Sequence, residues 1–354
     1  GNVDADIANS NPDFLNGNVF LSNIQILQDK EPIVLDSIKI VAFSDNEKNN
    51  IKISSQFLKA EMDGKYKLTT LSSSLKKSLS KYIDLQSPTD KANNDEQKFT
   101  LNVTVQNDPI LFQIVPKLTS LEPINITANY NNVVDSLQIK GSVPRIVYAG
   151  NTISSASLNV EAKETVLDYN VSVTTVENGE FKLPKTSLSG KVENNIVDYA
   201  LLINDTLDTE KYYLAGQLEH KLDENIFKID AEKVILNYEK WTVNPQNSIE
   251  FGNNGLYINQ FELSNSGNQV KIQSQQNQKN APIDVQFVDF KIETILSMIK
   301  KDDLLMQGLI NGSATIENLQ TQPIFISDLK IDQFVFNGEE VGDISIKVDN
   351  KTVN

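Results

Sequence analysis

One histidine (His220), one arginine (Arg145) and no cysteine leave this 354-residue chain few groups that could do chemistry. Without cysteine there is no thiolate nucleophile, disulfide, iron–sulfur cluster or Cys-type zinc site. A single imidazole cannot build a histidine metal cluster and gives little scope for acid–base catalysis. The carboxylate pairs Asp302-Asp303 and Glu339-Glu340 lie near turn signals and read as solvated loop charge. A glycosidase pair stays formally open, because carboxylate spacing is not written in a sequence. Phosphate-cradling glycine loops, Gly-x-Ser-x-Gly elbows and His-Glu-x-x-His helices are missing. His220 continues the alternation of Tyr212, Leu214 and Leu218, which puts it at the inner edge of a strand. Trp241, shortly before Asn244-Pro245, fits a packing role at a strand end. The Asn-x-Ser/Thr triplets at Asn102, Asn125, Asn170, Asn204, Asn311 and Asn350 are chance matches in a chain rich in these residues. No catalytic residue, metal or cofactor is expected.

The elements carry the stronger signal, an apolar/polar alternation of period two repeated almost end to end. Phe99, Leu101, Val103 and Val105 share one strand face. Ile124, Ile126, Ala128 and Tyr130 share another, as do Leu137 and Ile139, followed by Gly141 and Val143. Further on come Tyr212, Leu214 and Leu218, then Ile283, Val285 and Phe287, then Ile344, Ile346 and Val348. About twenty such segments of ordinary strand length fit the chain. One apolar face per strand indicates antiparallel pairing, because parallel strands buried on both sides form continuous apolar runs. The expected class is all-β.

Asn-Gly pairs at 16–17, 178–179, 254–255, 311–312 and 337–338 supply the positive φ of tight hairpins. Those at 16 and 311 are also candidates for strand starts, since alternation begins just after them. Leu71, Leu75, Leu79 and Ile83 predict an amphipathic helix over 71–84, followed by a polar loop over 86–97. Shorter helices are predicted from Glu293 to Lys300 and after Asp108-Pro109, where Asp caps and Pro opens the first turn. They either close the end of a sheet or cover a groove. Residues 15–24 weakly resemble residues 310–319, each Asn-Gly followed by an alternating strand. The varied turn spacing does not suit a regular β-helix but does suit an extended array of related strand groups.

With 47 acidic against 32 basic residues the net charge is −15. The acidic excess argues against nucleic acid as a partner, and contact with an anionic bilayer must be apolar rather than electrostatic. No run of eighteen apolar residues could span a membrane as a helix. Twenty strands with one apolar face each must hide it in a barrel, in stacked sheets, or against a ligand with long apolar surfaces. In line they would extend roughly 90 Å, the scale of a gap between two membranes.

Four stretches carry a family resemblance: Asn9-Ser10-Asn11-Pro12-Asp13-Phe14-Leu15-Asn16-Gly17; residues 51–68, with the helix directly after; Trp241-Thr242-Val243-Asn244-Pro245 leading to Ile258-Asn259-Gln260-Phe261 and Gln269-Val270-Lys271-Ile272; and Met306-Gln307-Gly308-Leu309-Ile310-Asn311-Gly312 through Val341-Gly342-Asp343-Ile344. In their order they resemble the TamB branch of the AsmA-like proteins in its Bacteroidota form. The resemblance implies an elongated sheet curled into a U-shaped groove, the β-taco, running as one segment over 1–354. It implies anchorage in an inner membrane, a periplasmic location, an outer-membrane assembly barrel as partner, and a part in phospholipid movement and outer-membrane biogenesis. Anchor and barrel-docking regions are not recognised here, so the chain is expected to be an internal segment of a longer protein. The leading expectation is a passive conduit. Phospholipid acyl chains would lie on the inner sets named above, Phe99 through Ile346, with head groups at the wetter mouth. The alternatives are an assembly factor that templates outer-membrane proteins on its strand edges, a closed β-sandwich adhesin and, last, an enzyme.

Overall fold

A computed structural model of the chain describes residues 1–28, 31–45, 47–84, 95–179, 181–297 and 306–351. They are mostly strand, in an antiparallel sheet that is not closed into a barrel. The chain divides into two compact units, Gly1–Asn178 with Lys191–Asn194, and Gly179–Gly190 with Asn195–Asn354.

In the first unit β1 (Asn2–Asn9), β2 (Asn16–Gln28), β3 (Glu31–Ser44), β4 (Asn49–Ser55), β5 (Leu58–Lys65) and β6 (Lys98–Val105) pair each with the next. Then follow β7 (Leu118–Leu121), β8 (Ile124–Asn131), β9 (Ser136–Tyr148), β10 (Asn151–Lys163), β11 (Val166–Val173) and β12 (Thr175–Asn178). β8 pairs with β6 and β9, β7 extends the β8 side of β9, and β10 joins β9 to β11 and β12.

β13 (Phe181–Leu183) and β14 (Thr186–Glu193) precede the ladder of the second unit. It starts with β15 (Ile196–Asn204), β16 (Glu210–Lys221), β17 (Glu224–Leu236), β18 (Glu239–Val243), β19 (Ser248–Gly252) and β20 (Gly255–Asn259). β17 takes both β18 and β19, and β20 follows β19. From β18 the ladder continues through β21 (Phe261–Asn265), β22 (Asn268–Ser274), β23 (Ile283–Lys291), β24 (Met306–Glu317), β25 (Ile324–Phe336) and β26 (Glu339–Asp349).

The helices follow the sequence with instructive differences. α1 spans Leu68–Leu79, beginning three residues before the periodic run and stopping at Ser80, so Tyr82 and Ile83 lie beyond it. Its start is set from a distance. Asp13, in a 3-10 turn at Pro12–Phe14, accepts from the Thr69 N–H at 2.9 Å and the Thr69 hydroxyl at 2.7 Å. That carboxylate meets an orphan first-turn donor that α1's own cap residue, Lys67, leaves unbonded. α2 (Pro109–Ile114) has the expected cap, the Asp108 carboxylate accepting from the Ile110 N–H at 3.0 Å. α3 is Glu293–Leu296, and the remainder of its predicted span, from 298, lies outside the described residues. Most of the predicted polar loop, 86–94, also lies outside them. Its end at Gln97 is fully buried, accepting from the Lys67 N–H and donating to the Thr70 hydroxyl. No described helix is long and apolar enough to cross a membrane.

Asn337-Gly338 forms a tight turn with both φ positive. Asn16 opens β2, whereas Asn311-Gly312 falls inside β24. The weak repeat has a structural counterpart here. Gly17 (φ +148°) and Gly312 (φ +113°) each bring the backbone so close to the neighbouring strand that a Cβ would stand 2.2 Å from the carbonyl oxygen of Asp6 or Asp328.

Candidate ligand-binding face

Residues directly opposite in an antiparallel ladder share a face, so register decides which alternating sets join. In the first unit they join across ten strands. One row runs Ala5, Val19, Ile40, Ile53, Ala60, Val103, Ile126, Gly141, Leu158, Val171. Beside it runs Ile7, Gly17, Ala42, Ile51, Met62, Leu101, Ala128, Ile139, Val160, Tyr169. Neither row holds a charged residue. Both are half-buried through the middle, and Ile7, Ile126, Leu158 and Val171 are exposed. The opposite face is polar: Lys52, Glu61, Asn102, Thr127, Lys140, Asn159 and Asn170 lie in one register. There Lys52 meets Glu61 at 3.0 Å and Lys48 meets Asp63 at 3.0 Å. Hydrogen bonding from Asn50, with Lys52 beside it, holds the Glu61 carboxyl below the usual range.

Outside these two rows parts of the same face are covered, while Val3 at the β1 end stays exposed. On one side Gly64, Phe99, Tyr130, Leu137 and Ala162 stand in register, and all but the glycine are buried. α1 meets this row at Tyr130. The Tyr130 hydroxyl donates to the Ser74 carbonyl at 2.9 Å and is 2.7 Å from the Ser78 hydroxyl. Tyr66 and Tyr130 pack against Phe99, with ring centroids at 6.2 and 5.4 Å. Burial pushes the Tyr66 phenol up to about 12 and the Tyr130 phenol upward as well, a Ser78 hydrogen bond opposing the latter. On the other side α2 packs Leu111 in a cluster with Leu118, Leu121, Val105 and Ile124, while Ile110 packs with Ile33, Leu35 and Ile38.

The predicted residues therefore separate. Leu101, Val103, Ile126 and Ile139 are on the open rows. Phe99, Tyr130 and Leu137 are buried in the row that α1 meets at Tyr130, and Val105 and Ile124 border α2. In the second unit Tyr212 is buried, donating to the Thr294 carbonyl of α3 at 3.1 Å and bonded to the Ser297 hydroxyl. Burial pushes its phenol up to about 12, against a smaller opposing contribution from Ser297. Leu214 and Phe287 pack on a core of Ile203, Tyr212, Val234, Trp241, Val270 and Phe290. Leu218 is half-buried opposite Phe227 and Val285 opposite Ile272, while Ile283 is buried. Ile344 is half-buried and Ile346 exposed on β26, which bonds only β25 among the described residues.

The rows contributed by β1–β5 were not singled out from the sequence. Their signal is present in Val19 and Leu21, in Ile38 and Ile40 and in Ile51 and Ile53. His220 Nδ1 sits 2.8 Å from the Asn225 side-chain oxygen. Among the described residues no group of three or more His, Asp or Glu side chains is arranged to hold a metal ion. No protein-family profile, curated protein or solved structure matches this chain.

Proposed function

We propose that the open aliphatic rows of the first unit hold lipid acyl chains, and that the protein is a hydrophobic conduit for phospholipid between an inner and an outer membrane. The observation that carries this reading is the continuity of two charge-free rows over ten strands, left half-exposed while α1 and α2 cover their flanks in the middle strands. A methylene taken fully out of water contributes about 0.8 kcal/mol, and one covered from a single side about half that. Such burial holds a chain without fixing its position, as sliding requires.

Curling of the sheet into a trough is part of the proposal, and contacts within each unit support it. In the first, consecutive residues Ile110 and Leu111 reach β3 and β7. β7 is four ladder steps from β3, roughly 19 Å in a flat sheet. In the second, Trp241 of β18 and Phe290 of β23 have ring centroids 5.8 Å apart, although three ladder steps, roughly 14 Å, separate their strands. Inner-membrane anchorage, a periplasmic location and an outer-membrane barrel partner belong to the same reading through segments elsewhere in a longer protein.

Native mass spectrometry of the purified chain, with lipid extraction, tests it. Co-purified phospholipid is expected, and Leu101→Glu with Ile139→Glu is expected to lose most of it while keeping the β circular dichroism. A lipid-free wild type, or a folded double variant with undiminished lipid, would sink the conduit. The assembly-factor reading draws on the edges. β1 and β26 each bond one neighbour among the described residues, and neither contains proline. On that reading the double variant keeps its partner protein although its lipid is gone.

A further inference from the structure

The helices flanking the open rows bear on which apolar molecules can enter. Where α1 and α2 flank it, in the middle strands, the open face is two rows wide along the strands, about 7 Å from one row to the next. α1, latched by Tyr130 to Ser74 and Ser78, bounds these rows on one side at β8. Ile110 and Leu111 of α2 bound the other. Across the strands nothing charged interrupts the face from β1 to β11, roughly 43 Å at strand spacing. Only Tyr169, at the last strand, brings an aromatic ring into either row, so the floor offers side-on aliphatic contact and almost no stacking surface.

We infer that α1 and α2 are the selectivity walls of this face: they admit unbranched acyl chains lying across the strands and turn away broad fused-ring lipids such as sterols. The inference rests on the conduit reading and adds to it the ligand's orientation, its shape and the elements that set both. It also gives Tyr130 a role distinct from lining. Its hydroxyl fastens a wall and so acts on selectivity through α1.

The test compares the full chain with Tyr130→Phe, which removes both latch hydrogen bonds and keeps the ring that packs on Phe99. Binding of radiolabelled stearate and cholesterol is measured on each. The wild type is expected to prefer stearate by tenfold or more. Tyr130→Phe is expected to narrow that ratio at least threefold through tighter cholesterol binding, with stearate affinity unchanged. A diazirine-bearing stearate should label Leu101, Val103, Ile53 and Ile139 and spare Phe99, Leu137 and Ile124. A wild type that binds both ligands equally, an unchanged ratio in Tyr130→Phe, or labelling of Phe99 and Ile124 as heavy as that of Leu101 overturns the walls and leaves the conduit standing. A wild type that binds neither ligand overturns both.

Discussion

Tyr212 shows how little alternation alone says about a side chain's use. By parity it belongs with Leu214 and Leu218, yet its hydroxyl is spent on the Thr294 carbonyl and the Ser297 hydroxyl, and its ring is buried. Burial raises this phenol from 10.0 to about 12, so the folded chain holds the proton more tightly than the unfolded one. The stabilisation linked to that proton is complete below pH 10 and is lost as pH rises towards about 12. Tyr66 has the same sign and window in the first unit. Melting temperature followed through this range should fall as tyrosinate absorbance appears. Tyr212→Phe should begin about 1 kcal/mol less stable at neutral pH, for the lost hydrogen bonding, and decline less steeply above pH 10. An equally steep decline in the variant would mean that other groups govern the alkaline limit.

At the scale of elements, what could be read from the sequence was what is local. α2 was legible because its signal lies within three residues, Asp108, Pro109 and the Ile110 N–H. Replacing Asp108 by Ala should cost about 1 kcal/mol and also release Gln56, whose side-chain amide donates to the same carboxylate at 3.1 Å. Urea unfolding of the variant measures it, and an unshifted midpoint would remove the cap from the account. α1 was legible in its period but not in its start, because the group that meets its first turn is Asp13, 56 residues away. Strand faces divide the same way. Parity tied Phe99 to Leu101 and Tyr130 to Ile126 correctly, since each pair lies on one face. It could not tell that the first of each pair is buried, Tyr130 against α1 and Phe99 between Tyr66 and Tyr130, while the second stays open. Nor could it show that β1–β5 continue the rows of β6–β11, because register depends on pairings between strands, such as Met62 with Leu101, that no local pattern encodes.

For the whole molecule, charge decides how an apolar face can meet a bilayer. With 47 acidic and 32 basic residues the chain carries −15, and lysines of the polar face, such as Lys48 and Lys52, are paired with carboxylates. Exposed pairs of this kind contribute little to stability, but they leave the acidic excess uncompensated at long range. An anionic vesicle should therefore repel the protein before its aliphatic rows make contact. The repulsion is felt over about 10 Å at 0.1 M salt and about 3 Å at 1 M. Extraction of a fluorescent phospholipid from neutral vesicles should outpace extraction from vesicles rich in anionic lipid at low salt, and the difference should close as salt is raised. The neutral-vesicle rate should barely change, because the hydrophobic step carries no Coulomb contribution. Faster extraction from anionic vesicles at low salt would contradict this and point to a local cluster of lysines as the docking element. Equal rates at every salt concentration would mean that lipid reaches the face without the protein approaching the bilayer surface.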